Sequence, residues 1–433
     1  QLSMGNLLTD KYSEGFPEHR FYAGCENVDD IESLACEEAK KLFGCEHAYM
    51  QPHSGADANL IAFWAILHTR VGTPILEQLG KKKLTDLTDD EWSDFRAKLG
   101  NQKLLAMDYS SGGHLTHGYR YNVSAQMFDA HSYGVDEASG LIDYDKLKTQ
   151  AEQVKPLILL AGYSAYPRAL NFRKFREIAD SVGAVLMVDM AHISGLVAGG
   201  VFKGDENPFG FADVVTSTTH KSIRGPRGGM VLSKQEFAEF VDKGCPLVIG
   251  GPLPQVMAAK AICFREANSA AFKDYAKQVV ENAQMLGESA IGLGLTVLTG
   301  GTDNHMILVD VSPFGITGRH AEGALRECGI TLNRNSIPRD PNGAWFTSGL
   351  RIGTPAVTTL GMGKEEMREI AALIHMVVAA TKPGTTSSGK PSKSKFDLDA
   401  RIAGEARSRV SALLGRFTLY PNLQLDFLQQ HFS

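Results

Sequence analysis

Apolar residues recur along this chain in two periods. Between Asp29 and Phe43 they fall at Ile31, Leu34, Ala35 and Leu42, a helical spacing. A second helix is predicted from Ala56 to about His68, after the turn His53-Ser54-Gly55, and a longer one over Phe272–Ile291. Elsewhere the apolar residues form short unbroken runs, at residues 156–162, Val185–Asp189 and Val214–Thr218. Bounded by turns and separated by helical segments, such runs read as buried strands of a largely parallel α/β sheet. Met306–Asp310 opens a smaller α+β region, and residues 398–417 are helical again.

This pattern predicts a large domain over residues 41–280 and a small C-terminal domain over 281–433. Two stretches break it. Residues 68–103 read as an inserted surface excursion with one short helix, started at Thr88 ahead of acidic residues. Residues 380–397, rich in Gly, Ser, Pro and Lys, read as a flexible surface loop.

Composition narrows the function classes. With 433 residues, 43% of them hydrophobic, a large core is available. A net charge of −5 argues against nucleic acid or an anionic membrane as the main partner. No apolar run is long enough to cross a bilayer. Six cysteines without a C-x-x-C pair speak against zinc or dithiol chemistry and suit a reducing, cytoplasmic compartment. The start, Gln1-Leu2-Ser3-Met4, has neither an initiator Met nor a signal-peptide pattern, so the sequence is read as beginning part-way into the natural protein.

Four local signals carry chemistry, and each has a plain alternative. Ser54-Gly55 at a helix start offers backbone amides to a phosphate, or is a simple cap. In Gly112-Gly113-His114-Leu115-Thr116-His117-Gly118, a histidine can stack on an aromatic ring; the two histidines also suggest a metal, but a third ligand is lacking. Asp189 ends an apolar run, where α/β proteins bind ligands, and could pair with a ring nitrogen or cap the next helix. Lys221 follows the hydroxyl-rich Thr216–Thr219 and precedes Gly225-Pro226-Arg227-Gly228-Gly229; it is a nucleophilic amine or an exposed turn residue. In this order the four fit a pyridoxal-phosphate enzyme: phosphate turn, stacking histidine, ring-nitrogen aspartate, lysine.

These motifs resemble those of serine hydroxymethyltransferases along nearly the whole chain. Lys11–Pro17, Gln51–Gly55, Ser111–Gly118, Ser164–Pro167, Val188–His192, Thr218–Lys221, Gly250–Leu253 and Thr347–Thr354 carry the resemblance. It implies a fold-type-I pyridoxal-phosphate transferase: a large, mostly parallel seven-stranded domain, a smaller α+β C-terminal domain, and residues 1–40 as the remnant of an N-terminal arm and dimer-exchange segment. It implies Lys221 as the internal aldimine, Asp189 at the pyridine nitrogen and His114 on the ring. Ser54, Gly55 and Ala56 would hold the phosphate, with Thr218 and His220 beside the lysine, and Ser164 and His192 at the ring hydroxyl. Arg351 would bind the substrate carboxylate and Asn335 would lie near the pterin. Tyr12, Glu14, Tyr22, Gly250 and Gly251 would reach in from a partner subunit, Glu14 moving protons near the substrate hydroxyl. The implied reaction moves the hydroxymethyl carbon of serine to tetrahydrofolate, leaving glycine, in a homodimer with shared sites that could pair into a tetramer.

The pattern departs from the family in places. Phe21-Tyr22 replaces two tyrosines, Ile249 stands where a glutamine is usual, and a Ser-Glu-Asn arm segment is missing. A folate-independent pyridoxal-phosphate aldolase or amino-acid racemase would use the same core residues. A non-catalytic relative should have lost Lys221, Asp189 or Arg351, and all three are present.

Overall fold

The computed structural model describes residues 2–420 and 423–432. The chain divides into two compact units, residues 1–277 and 278–433.

The first unit is built on a seven-stranded sheet. Its strands are β1 (His47–Tyr49), β2 (Lys103–Met107), β3 (Asp129–Tyr133), β4 (Ile158–Gly162), β5 (Val185–Asp189), β6 (Val214–Thr218) and β7 (Gly229–Ser233). Their order across the sheet is β1-β7-β6-β5-β4-β2-β3. Pairing is parallel from β3 through β6, and only β7 runs antiparallel to both its neighbours. The three apolar runs read from the sequence are β4, β5 and β6. Every residue of β4 and β6 is buried, as are the first four of β5, which is the unbroken apolar signature of a sheet covered on both faces.

Helices α1 (Glu26–Phe43) and α2 (Gly55–Leu67) match the predicted spans to within three residues. The buried face of α1 is not the one its apolar residues suggested. Leu34 is exposed, and the inward positions are Val28, Glu32, Ala35, Ala39 and Phe43. The cause is electrostatic. The Arg20 guanidinium bonds Glu32 at 2.6 Å and Asp29 at 2.8 Å, and Gln51 Nε2 adds a bond to Glu32 at 2.8 Å, so the carboxylate can be carried inward.

The excursion at residues 68–103 is more structured than expected. A π turn (His68–Gly72) runs into α3 (Thr73–Gln78), and α4 (Asp89–Gly100) follows. Phe95 of α4 is buried beside His68 and stacks on Trp92, so the excursion is packed down rather than free. Thr88 caps α4 as read: its Oγ1 accepts from the Glu91 amide, and the Glu91 carboxylate accepts from the Thr88 amide.

The second unit holds a four-stranded antiparallel sheet of β8 (Thr296–Val297), β9 (Met306–Asp310), β10 (Asn333–Asn335) and β11 (Gly349–Gly353), in the order β8-β9-β11-β10. Its core gathers Ile307, Val309, Leu350 and Ile352 with Leu325, Ile374 and Val378 from helices. The predicted flexible loop at 380–397 is instead a hairpin of β12 (Thr381–Thr385) and β13 (Pro391–Leu398). Its composition hid a period of two. Ser392, Ser394, Phe396 and Leu398 alternate with Pro391, Lys393, Lys395 and Asp397, Phe396 and Leu398 pack on the core, and Thr317 Oγ1 donates to the Lys393 carbonyl at 3.0 Å.

Two predictions follow from this packing. Thr88→Ala should cost about 1 kcal/mol in chemical denaturation by removing the cap of α4. Phe396→Ala should cost about 2–4 kcal/mol in the same measurement because it empties a site against the second core, whereas a free loop would tolerate it.

Candidate active site

The C-terminal ends of β2, β4, β5 and β6 lie along one edge of the sheet, and the sequence signals converge there. After β2, the chain folds back so tightly that a Cβ on Gly113 would stand 2.1 Å from the Met107 carbonyl oxygen. Only glycine permits this return, which brings His114 to the strand ends. Ser164 joins the same loop, its amide donating to the Gly112 carbonyl at 2.7 Å. Asp189 ends β5 opposite Gly162 and Thr216 in the flanking strands. With His192 it lines a small cavity completed by Gly162, Tyr163, Leu170, Phe172 and Ile193. Lys221 follows β6 by three residues and lies close enough to His114 to influence its titration. His220 stands beside it, its Nδ1 accepting from the Gly228 amide at 3.4 Å.

The start of α2 meets this edge at β6. Ser54 is its N-cap, with Oγ accepting from the Asp57 amide at 3.1 Å. The Gly55 and Ala56 amides have no intrahelical acceptor, as at any helix start. Gly55 has no room for a side chain: an added Cβ would lie 2.7 Å from the Thr218 methyl. Ser54 is thus a helix cap, and Gly55 beside it packs against Thr218, three residues before Lys221.

Asp189 has the most constrained environment. Oδ2 accepts from Asn59 Nδ2 at 2.9 Å and His117 Nε2 at 3.1 Å, and Oδ1 accepts from the Ala191 amide at 3.0 Å. The network has a second layer. Asn59 Nδ2 also donates to Thr116 Oγ1 at 2.8 Å, and Asn59 Oδ1 accepts from Thr216 Oγ1 at 2.5 Å. Burial opposes ionisation of Asp189, but the hydrogen bonds given by His117 and Asn59 outweigh it and hold the carboxyl well below the usual range. Burial acts unopposed enough on His114 to lower it to about 4, with the Asp189 charge resisting and His117 and Lys221 adding to the fall.

Neighbouring amides fix both tautomers. The His114 amide donates to His117 Nδ1 at 3.3 Å, leaving His117 Nε2 to carry the proton given to Asp189. The Thr116 amide donates to His114 Nδ1 at 3.2 Å, so His114 is protonated on Nε2. Asn59, Thr116, His117 and Thr216 were not among the residues singled out from the sequence as site residues. A lone amide inside the apolar helix Ala58–Leu67 was the available signal for Asn59. His117 was weighed as a metal ligand, and its Nε2 is committed to Asp189.

Tyr12 and Tyr22 are exposed and form a separate patch with the half-buried Gly251. The two rings meet edge to face at 5.3 Å, and a Cβ on Gly251 would lie 3.6 Å from the Tyr12 ring. His53 Nε2 reaches the Gly251 carbonyl at 3.1 Å, joining this patch to the residue before Ser54; Gly250 beside it is exposed. Glu14 lies nearby in sequence, its carbonyl accepting from the Phe21 amide at 3.0 Å. Arg351 and Asn335 belong to the second unit, on the paired strands β11 and β10, where Asn333 is the partner of Arg351 and Gly349 that of Asn335.

A mostly parallel seven-stranded sheet with a largely buried, ionised aspartate, a neutral histidine and a lysine at its strand ends is the arrangement of a fold-type-I pyridoxal-phosphate enzyme. Comparison with known proteins narrows this. The family model described as serine hydroxymethyltransferase matches residues 2–77 and 95–374. The serine hydroxymethyltransferase of Treponema pallidum is 62% identical over 433 residues, covering 100% of this chain and 75% of that protein. Those of Salinispora tropica and Mycolicibacterium smegmatis are each 56% identical over 424 residues, covering 98% of this chain and 89% and 86% of theirs. The chain belongs to the serine hydroxymethyltransferase family. The family match also trims the supposed insertion, because of residues 68–103 only 78–94 fall outside it.

The residues fit the cofactor this family uses. Three donors leave the Asp189 carboxylate with capacity for one more, and its charge suits a protonated ring nitrogen. The neutral His114 ring suits stacking, and the α2 amides suit a phosphate. With His114 lowered to about 4, its imidazole should stay neutral and Nε2-protonated from pH 5 to 9, because it gains its proton only as pH falls through that value. Nitrogen-15 NMR of labelled histidine checks this, and a transition near pH 6.5 would contradict it.

Proposed function

We propose that the protein catalyses reversible transfer of the hydroxymethyl carbon of serine to tetrahydrofolate, giving glycine and 5,10-methylenetetrahydrofolate. The observation that carries the reading is the largely buried Asp189 carboxylate, held ionised by His117 and Asn59 at the strand edge after which Lys221 follows. Pyridoxal phosphate, when bound, supplies an electron sink for the charge left on the substrate α-carbon. Lys221 would hold it covalently, Asp189 would hold its ring nitrogen, and His114 would cover its ring. Ser54, Gly55 and Ala56 would take its phosphate, with Thr218 and His220 beside Lys221, and Ser164 and His192 would meet its ring hydroxyl.

The chain's own groups then divide the work. Asp189, being anionic, favours a proton on any nitrogen placed against it. Arg351 orients the amino acid by gripping its carboxylate with two parallel N–H donors, a fork that lysine lacks. Glu14 takes the proton of the serine hydroxyl as the hydroxymethyl carbon departs, and Tyr22 positions that hydroxyl. Asn335 pairs with polar edges of the pterin. We read the working protein as a cytoplasmic homodimer in which Tyr12, Glu14, Tyr22, Gly250 and Gly251 complete the site across the interface. The exposure of the Tyr12 and Tyr22 rings in the single chain supports this assembly. Among the described residues no helix is long and apolar enough to cross a membrane.

The test is an absorption spectrum of the purified protein, repeated with glycine and then with tetrahydrofolate, beside an assay of serine cleavage. The reading requires a cofactor band near the visible, a new long-wavelength band strong only when both additions are present, and folate-dependent cleavage. Serine cleavage indifferent to folate would shift the assignment to an aldolase or racemase. Lys221→Ala should abolish turnover. Asp189→Asn, which removes the charge and keeps the shape, should lower kcat by at least about a hundredfold.

A further inference from the structure

Lys260 lies on α5 (Pro254–Ala267), is 1% exposed, and is absent from every role described so far. Its Nζ stands 2.6 Å from the Met50 carbonyl oxygen, 2.7 Å from that of Gly229 and 3.2 Å from that of Pro52. An ammonium has three N–H donors and no acceptor, so three converging carbonyls match its full capacity. A neutral amine would leave one of them without a proton. Burial pulls the amine down to about 7, while Glu32 and Cys36 of α1 resist; His220 is the other titratable group that feels it. Holding a cation here works against desolvation, and the carbonyl cage is what offsets that cost.

The three carbonyls belong to two segments that the site must keep in register. Met50 and Pro52 lead directly into His53-Ser54-Gly55 and the start of α2. Gly229 begins β7 and is the strand partner of Thr218, three residues before Lys221. The Gly229 amide also donates to the Pro52 carbonyl at 2.8 Å, and a Cβ on Gly229 would lie 2.2 Å from the Ser54 carbonyl oxygen. The ladder that pairs Tyr49 with Val231, the Asn59–Thr216 bond, the Gly229–Pro52 bond and van der Waals contact join these segments, all of them neutral, and Lys260 adds the only charged clamp among the described contacts between them.

We infer that Lys260 is a positioning residue whose ammonium fixes the phosphate-binding turn at Ser54–Gly55 against the strand that leads to Lys221. The inference rests on the reading of that turn as the phosphate seat. It acts on cofactor affinity: Lys260 touches neither substrate nor the reacting atoms, and loosening the turn would spread the amides that hold an oxyanion.

Lys260→Met, nearly equal in volume and without donors, tests it. Pyridoxal phosphate is titrated into each apoprotein, its dissociation constant read from absorbance, and kcat measured at saturating cofactor. The expected result is an affinity loss of about tenfold or more, since three charge-assisted bonds are removed, while kcat changes by less than about twofold. Gly228→Ala is the second variant, because its Cβ would sit 2.7 Å from Lys260 Cε and push the amine off its carbonyls without deleting it. It should weaken cofactor binding in the same sense, and it decides the matter if the methionine variant does not fold. Unchanged affinity in a folded variant overturns the inference, as does a loss confined to kcat. A wild-type protein that binds no pyridoxal phosphate would instead overturn the reading of the site itself.

Discussion

The structure turns on a carboxylate kept charged where burial would neutralise it. Asp189 sits at a strand end with little access to water, and it remains ionised because Asn59, His117 and the Ala191 amide all donate to it. Those donors come from different places: α2, the glycine-rich loop after β2, and the chain just beyond β5. One negative charge thus gathers three separate segments, and each must fold correctly for the others to be satisfied. The same demand explains the backbone around it. Gly113 returns its loop against Met107, and the Thr116 and His114 amides set the proton positions on both imidazoles.

Charge also shapes the periphery of the first unit. Arg20 carries Glu32 and Asp29, and donates as well to the Ser13 and Gly15 carbonyls at 3.0 and 2.9 Å. Gln51 closes the circle by donating to both Glu32 and the Gly15 carbonyl. The segment bearing Tyr12, Glu14 and Tyr22 is therefore tied to the residue two places before His53. A single guanidinium, itself largely buried, thus ties that segment to α1.

Much of this was legible in the sequence wherever one residue type serves one purpose. Unbroken apolar runs gave β4, β5 and β6, since a sheet covered on both faces needs apolar residues at every position. Lys221, Asp189, His114 and Ser54 could be singled out as candidates because their motifs are local. The misreadings arose where a contact distant in sequence decides the outcome. The buried face of α1 follows Arg20 and Gln51 rather than its own apolar residues. Residues 381–398 form a hairpin because alternate positions pack on a core assembled elsewhere, a fact that polar composition conceals. Asn59 and His117 were missed for the same reason, as their partner is more than seventy positions away along the chain.

The antiparallel turn of β7 has one more effect. Because β6 ends and β7 begins at the same edge of the sheet, the ten residues 219–228 leave and return at neighbouring points, and Thr218 and Gly229 are paired at the neck. The Thr219 amide bonds the Gly228 carbonyl at 3.0 Å, and Thr219 Oγ1 bonds that of Pro226 at 2.7 Å, drawing the loop closed from inside. Lys221 therefore rides on a short, sealed ring of backbone. On the proposed reading that amine would be the cofactor's covalent anchor. A sealed ring confines its travel to the four carbons of the side chain, so the amine would stay at a high local concentration beside the site and reach it by bond rotation rather than by a search of the loop.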